Sequence, residues 1–243
     1  MRLFGISIIV LIAVSCSPTK SLQNHLNLYE LPIGYIHDTK EINCHKFDSL
    51  IINLKNKPLD SVLTVSLKHR HVRFLVFYVS RDIKMNIELG DDVLEQPYSE
   101  FFLSSLKEES KRTGCFAISN KAAGDSLYTL DITMDTCKTN ADYQYQESDL
   151  LSYSKMKVNF YPSETYIHVF TSLRRGRTFI TEKAYTFKRR QPYLVTQNKN
   201  MSLDDLMSNM VESLSLSTKE CVERIVNDVN LSITTNMFRF RQK

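Results

Sequence analysis

Residues 127–135 read L-Y-T-L-D-I-T-M-D, an unbroken alternation of apolar and polar side chains. Successive residues of a strand face opposite ways, so Tyr128, Leu130, Ile132 and Met134 share one face that must be covered. The cover is legible further along. Leu203, Met207, Met210, Leu214, Cys221, Ile225 and Val229 recur mostly at three- and four-residue steps, the stripe of a long amphipathic helix. Ahead of it, Ser202-Leu203-Asp204-Asp205 is a capping box, a hydroxyl and a carboxylate able to satisfy the first free amides. A sheet and a helix that are each apolar on one side bury one another, so the fold class is α+β.

The remaining elements fit that frame. Leu63 to Leu67 alternates as a half-buried strand does, and Phe47 to Leu54 reads as one short helix or strand. V-R-F-L-V-F-Y-V, residues 72–79, is rich in β-formers and predicts a central strand covered on both faces. Ile83, Met85, Ile87 and Leu89 alternate before Gly90 and predict another strand. Pro97-Tyr98-Ser99 opens a helix to Gly114, with Tyr98, Phe102 and Leu106 on one face and Gly114 in a left-handed terminal position. A short strand at Cys115–Ile118 follows, and Leu31 to Tyr35 reads as a turn. Residues 138–154 read as a polar connection with tyrosines. Strands at 156–160, 166–172 and 179–187 follow, the last two joined by a hairpin turn at Arg174-Arg175-Gly176-Arg177. The expected architecture is a mixed, mostly antiparallel sheet with two amphipathic helices on one face.

The N-terminus points to a compartment. Arg2 precedes an apolar run from Leu3 to Val14, too short to span a bilayer and shaped like an export signal. Ala13-Val14-Ser15-Cys16 resembles the lipobox of bacterial lipoproteins, in which small residues precede a cysteine. That resemblance implies cleavage before Cys16 and acylation of its thiol and new amino terminus. Several acyl chains hold a protein on a bilayer where one would not, at about 0.8 kcal/mol per buried methylene. Neither an aspartate nor an acidic cluster follows Cys16, so the anchor is expected on the outer membrane, facing the periplasm. The expected organisation is a signal peptide at 1–15, a tether and poorly patterned segment at 16–60, the α+β domain at 61–231 and a tail at 232–243.

Without residues 1–15 the chain keeps about 228 residues and a formal charge of +3, against +4 for the whole. That excess is too mild and dispersed for a nucleic-acid-binding face, and no nucleic-acid partner is expected. Four cysteines remain after Cys16: Cys44, Cys115, Cys137 and Cys221. In an oxidising periplasm they form two bridges, in any of three pairings, or stay as buried free thiols.

With an anchored N-terminus, the order of elements resembles the auxiliary lipoproteins of envelope ABC transport systems. It is also similar to the wider group of envelope lipoproteins that share a TolB N-terminal-like domain. The resemblance covers roughly residues 70–230. It rests on Val72 to Val79, the helix around Phe101 to Glu109, Tyr128-Thr129-Leu130-Asp131-Ile132 and the final amphipathic helix. It implies a non-enzymatic binding or auxiliary subunit of an envelope transport or assembly complex, with an envelope protein as partner.

The chemistry-bearing residues are weighed against that reading. His69-Arg70-His71 places two imidazoles on one face of a strand, but Lys68 and Arg70 repel a cation and no third ligand is evident, so no metal is expected. No G-x-S-x-G or phosphate-cradling loop occurs, and no cofactor is expected. Cys115 lies near Lys111 and Arg112 but opens a core strand, and Asp91, Asp92 and Glu95 form a charged loop after Gly90. The competing class is an envelope hydrolase whose site assembles only in three dimensions. The most functional-looking feature is basic: Arg174, Arg175 and Arg177 at the hairpin turn, and Lys188, Arg189 and Arg190 at the end of the returning strand. These are candidate contacts for anionic lipid or an acidic protein, at opposite ends of one hairpin.

Overall fold

The computed structural model describes residues 30–36, 46, 48–56, 64–75, 78–119, 127–150, 153–191 and 203–241. Its spine is one strand of 23 residues, β5 (Tyr128–Leu150). The other strands are β1 (Asp48–Asn56), β2 (Thr64–Leu75), β3 (Tyr78–Glu88), β4 (Phe116–Ile118), β6 (Tyr153–Phe160), β7 (Ser163–Arg175) and β8 (Thr178–Gln191). Along its first half β5 has β1 parallel on one side and β7 antiparallel on the other. Along its second half the neighbours are β3 and β6, both antiparallel. β4 continues the sheet beyond β1, β2 beyond β3 and β8 beyond β7.

β6 and β7 follow each other along one side of β5, with Tyr153 opposite Leu150 and Arg175 opposite Tyr128. Only Tyr161-Pro162 interrupts them, and there the Tyr161 amide still donates to Asp142 O at 2.9 Å. At about 3.3 Å per residue this ladder is about 75 Å long.

Two helices lie on one face: α1 (Tyr98–Thr113) and α2 (Leu203–Arg241). α2 lies on β7, β8 and the first half of β5, and α1 on α2 and β4. The alternation at 128–134 is the sheet's inner face: Tyr128, Leu130, Ile132 and Met134 are all buried. They meet Met207, Met210, Leu214, Cys221, Ile225 and Val229 from α2 in one core, to which α1 adds Tyr98, Phe101, Phe102 and Leu106. The fold is the expected α+β class, with β1 parallel to both its neighbours and the other pairings antiparallel.

Several local expectations are corrected. Val72 to Val79 is not one central strand: Leu75 pairs with Tyr78 and Phe74 with Val79, so the chain reverses inside the run. β-propensity reports a preference for extended backbone, not where a chain turns, and this turn lacks the Gly or Asn that usually marks one. Residues 138–150 are not a connection but the second half of β5, because β3 and β6 supply backbone partners on both sides.

Gly114 has φ −72°, so it is not left-handed. Glycine is needed there for close approach, since a Cβ would come within 2.3 Å of the Ser110 carbonyl oxygen. Leu31 is no turn residue either. Its amide donates to Val93 O at 2.8 Å and its carbonyl accepts from Glu95 N at 3.0 Å, pinning an extended segment beside α1. Phe47–Leu54 resolves as strand β1 from Asp48. Past residue 231 the last helix runs on to Arg241. Cys16, Cys44 and Ser202 lie outside the described residues.

Candidate interaction surface

The six basic residues sit where the register of β7 and β8 puts them. Gly176, at φ 54°, makes the turn. Arg174 pairs opposite Phe179, while Lys188, Arg189 and Arg190 pair opposite Tyr166, Thr165 and Glu164 at the far end. The two groups are thus separate, as the hairpin spacing predicts.

Four of the six are engaged within the fold. Arg174 forms an ion pair with Asp131 of β5, and Asn53 of β1 donates to the same carboxylate at 2.9 Å. Arg175 lies over the Tyr128 ring, 5.4 Å from its centroid. Arg189 pairs with Glu220 of α2, and Arg190 approaches Glu164 at 3.7 Å. Arg177 and Lys188 are exposed and have no ion-pair partner among the described residues. The arginines therefore tie strands and helix together, although Arg174 and Arg190 remain exposed, and the two cations without an ion-pair partner among the described residues lie one at each end of the hairpin.

On the outer face of β7, alternate residues Tyr166, His168 and Phe170 form an aromatic row, His168 and Phe170 lying 4.7 Å apart. The Y-I-H-V-F alternation carried that signal, which the charges beside it hid. His168 Nε2 is buried there without a hydrogen-bond partner.

Behind the sheet a line of buried polar groups pairs across to the helices. Thr139 and Thr165 share a hydrogen bond of 3.0 Å, and Thr165 meets Ser213 of α2 at 2.8 Å. Ser163 donates to Asn209 at 2.6 Å. Deeper in, the Tyr98 hydroxyl lies 2.9 Å from Thr218 Oγ1. The single Thr218 proton goes to Leu214 O at 2.8 Å, so Tyr98 is the donor. A one-residue slip of α2 breaks this whole line, so it sets the register of helix on sheet.

Cys115 is disulfide-bonded. Cys137 and Cys221 are free and buried. Burial pushes the Cys137 thiol up to about 12, and burial followed by the nearby Cys137 raises Cys221 further. Both stay protonated and inert at neutral pH. Asp91 lies in a 3-10 turn, Asp91–Val93, ahead of α1, and its Oδ1 accepts from the Tyr98 amide at 2.9 Å, satisfying a free amide of the first helical turn. His69 and His71 lie in β2, and their side chains are outside the described set. No group of three or more metal-ligating side chains occurs among the described residues.

Stability should fall at both ends of the pH scale. Burial raises the Asp131 pKa, but hydrogen bonds from Asn53 and Arg174 and the charges of Arg174 and Lys55 outweigh it, leaving the carboxyl below the free value of 3.8. Its contribution is complete above pH 3.8 and disappears as pH falls through the lower folded value. Burial first, then the Glu109 charge, raises Tyr35, and burial first, then the Asp228 hydrogen bond, raises Tyr185. Their contributions are complete below the unfolded value of 10.0 and decline above it as pH rises toward the folded values. Denaturant midpoints across pH check both limbs; an Asp131→Asn variant should flatten the acid one.

No family model matches the chain, and no curated protein matches it. Among solved structures it is similar to protein XCC0632 from Xanthomonas campestris, of the family DUF330. The TM-score is 0.47 and the identity 10%, over 85% of this chain and 98% of that one.

Proposed function

We propose that this chain is a lipid-anchored lipoprotein of the bacterial cell envelope. It is acylated at Cys16, faces the periplasm from the outer membrane, and acts as a non-enzymatic binding or auxiliary subunit of an envelope transport or assembly complex. The observation that carries the reading is Ala13-Val14-Ser15-Cys16 at the end of a short apolar run. The disulfide at Cys115 supports it independently, since such bonds persist in oxidising compartments outside the cytosol. The binding role is supported by how the reactive groups are used. One thiol is in a disulfide, two are buried and protonated, and Asp91 satisfies a helix amide.

The anchor is tested by metabolic labelling with a palmitate analogue and mass spectrometry of the mature N-terminus. The expected result is an acylated N-terminal Cys16 and complete loss of label in Cys16→Ala. An unmodified N-terminus, or a labelled Cys16→Ala chain, would overturn the anchor. Crosslinking in the native host tests the subunit role; failure to recover any envelope protein removes it.

A further inference from the structure

β8 is an edge strand: it pairs with β7, and no strand among the described residues pairs with its other side. Leu173 pairs with Thr181 and Arg174 with Phe179, so Ile180 is the extra residue of a bulge. From Thr181 to Gln191 the strand then keeps a regular register, without proline or glycine. Its side chains on the outer face, Glu182, Ala184, Thr186, Lys188 and Arg190, are all exposed. An edge of this kind offers backbone donors and acceptors to a further strand.

Charge identifies that strand. Of the charged side chains in β8, Lys183 pairs with Asp228 of α2 at 3.1 Å, Arg189 with Glu220 of α2, and Arg190 approaches Glu164 at 3.7 Å. Glu182 and Lys188 are left without an ion-pair partner among the described residues, and the residues opposite them on β7 are Ser172 and Tyr166. These two are opposite in sign, share one face and stand three residues to either side of Tyr185. That is what a two-fold axis requires, because an isologous interface must be complementary to itself. With β8 of a second copy antiparallel and Tyr185 opposite Tyr185, Glu182 of each copy falls opposite Lys188 of the other. A shift of two residues is the smallest that keeps every side chain on its own face. In one direction it sets Lys183 opposite Arg189, and in the other it leaves Glu182 opposite Thr186.

Leu231, 64% exposed, adds an apolar contact near the same axis. It follows Asp228 by three residues, on the flank of α2 that reaches Lys183 and the Tyr185 hydroxyl. A second copy's α2 approaches it there. We infer that β8 is the interface of a homodimer, pairing antiparallel with β8 of a second copy across a two-fold axis at Tyr185 and joining two sheets into one. The inference goes beyond the lipoprotein reading and does not depend on the anchor.

Charge exchange tests it in the full-length chain. Two differently tagged copies are co-expressed, extracted in mild detergent and captured through one tag, and sedimentation gives the size and affinity of the particle. The expected result for the unaltered chain is a dimer. Glu182→Lys sets lysine opposite Lys188 twice, and Lys188→Glu sets glutamate opposite Glu182 twice. Each should weaken self-association about tenfold, as like charges replace ion pairs directly across the strands. Mixing the two variants should restore a dimer containing one of each, and the chain carrying both changes should pair with itself again. Both side chains are exposed, so each variant should keep the Tm of the unaltered monomer.

An unaltered chain that sediments as a monomer at every concentration overturns the inference, whatever other protein is found on the edge. A dimer that neither single change weakens is held by another surface and overturns it as well. Variants that dissociate singly but do not recover on mixing overturn the pairing of Glu182 with Lys188, and with it the axis at Tyr185.

Discussion

Replacing Glu109 by alanine should lower the unfolding free energy by about 3–5 kcal/mol, the cost of breaking a buried charge pair and leaving one partner behind. Glu109 sits on the inner side of α1, its side chain 3% exposed, and its partner Arg112 is 13% exposed. Oε2 accepts from Arg112 at 2.9 Å and from the Tyr35 hydroxyl at 3.1 Å, while Oε1 accepts from Thr113 Oγ1 at 2.9 Å. Alanine removes the carboxylate that Arg112, Tyr35 and Thr113 share in a site largely closed to water. Glu109→Gln keeps an acceptor oxygen and should cost distinctly less. The Tyr35 bond crosses 74 residues of sequence, so Glu109→Ala should also free the 30–36 segment, read as faster amide exchange at Leu31. Urea denaturation measures the first effect. A loss below about 1 kcal/mol means that the pair behaves as a surface one and contributes little.

Tyr98→Ala should cost a similar amount, about 3–5 kcal/mol, because truncating a buried aromatic removes transfer energy and leaves a cavity. Tyr98 is 0% exposed, with the Phe101 and Phe102 rings 6.1 and 6.2 Å away. Two smaller changes separate packing from hydrogen bonding. Tyr98→Phe removes the donor and should cost about 1 kcal/mol, whereas Thr218→Val removes the hydroxyl that accepts the buried Tyr98 proton, at about 1–3 kcal/mol. The Phe/Val double variant should then cost less than the sum of the two, by the shared bond. Strict additivity in that cycle would show that the hydroxyls do not stabilise one another. The pairing couples α1 to α2 across 120 residues, so it bears on how the helices dock as well as on core volume.

A second tie between the helices acts through the backbone. Asn230 of α2 accepts from the Cys115 amide at 2.8 Å and donates to Thr113 O at 3.1 Å, satisfying both groups where α1 ends. That explains how a helix can stop beside another without orphaned groups. No local pattern around Gly114 announced it, since the satisfying residue lies 115 positions away.

Candidate-site residues were legible as a pattern of charge but not as a role. The spacing of Arg174, Arg175 and Arg177 against Lys188, Arg189 and Arg190 placed them at opposite hairpin ends, because antiparallel pairing converts sequence distance into position. Which of them faces a partner depends on Asp131, Tyr128, Glu220 and Glu164, and those lie on neighbouring elements. The apolar run at 72–79 was visible from the start, yet its meaning inverted. A single central strand was expected, whereas the run holds the ends of two strands that pair with each other, β2 and β3.

The sequence by itself determined whatever depends on local period and composition. The alternation at 128–134 and the stripe from Leu203 define the two faces that bury each other. Tertiary structure alone decided the length of β5, the reversal inside 72–79, the need for glycine at 114 and the partners of the arginines. Hydrogen bonding of an extended backbone is satisfied by neighbouring strands, not by the strand's own side chains. A polar stretch such as 138–150 can therefore be strand or loop until its neighbours are in place.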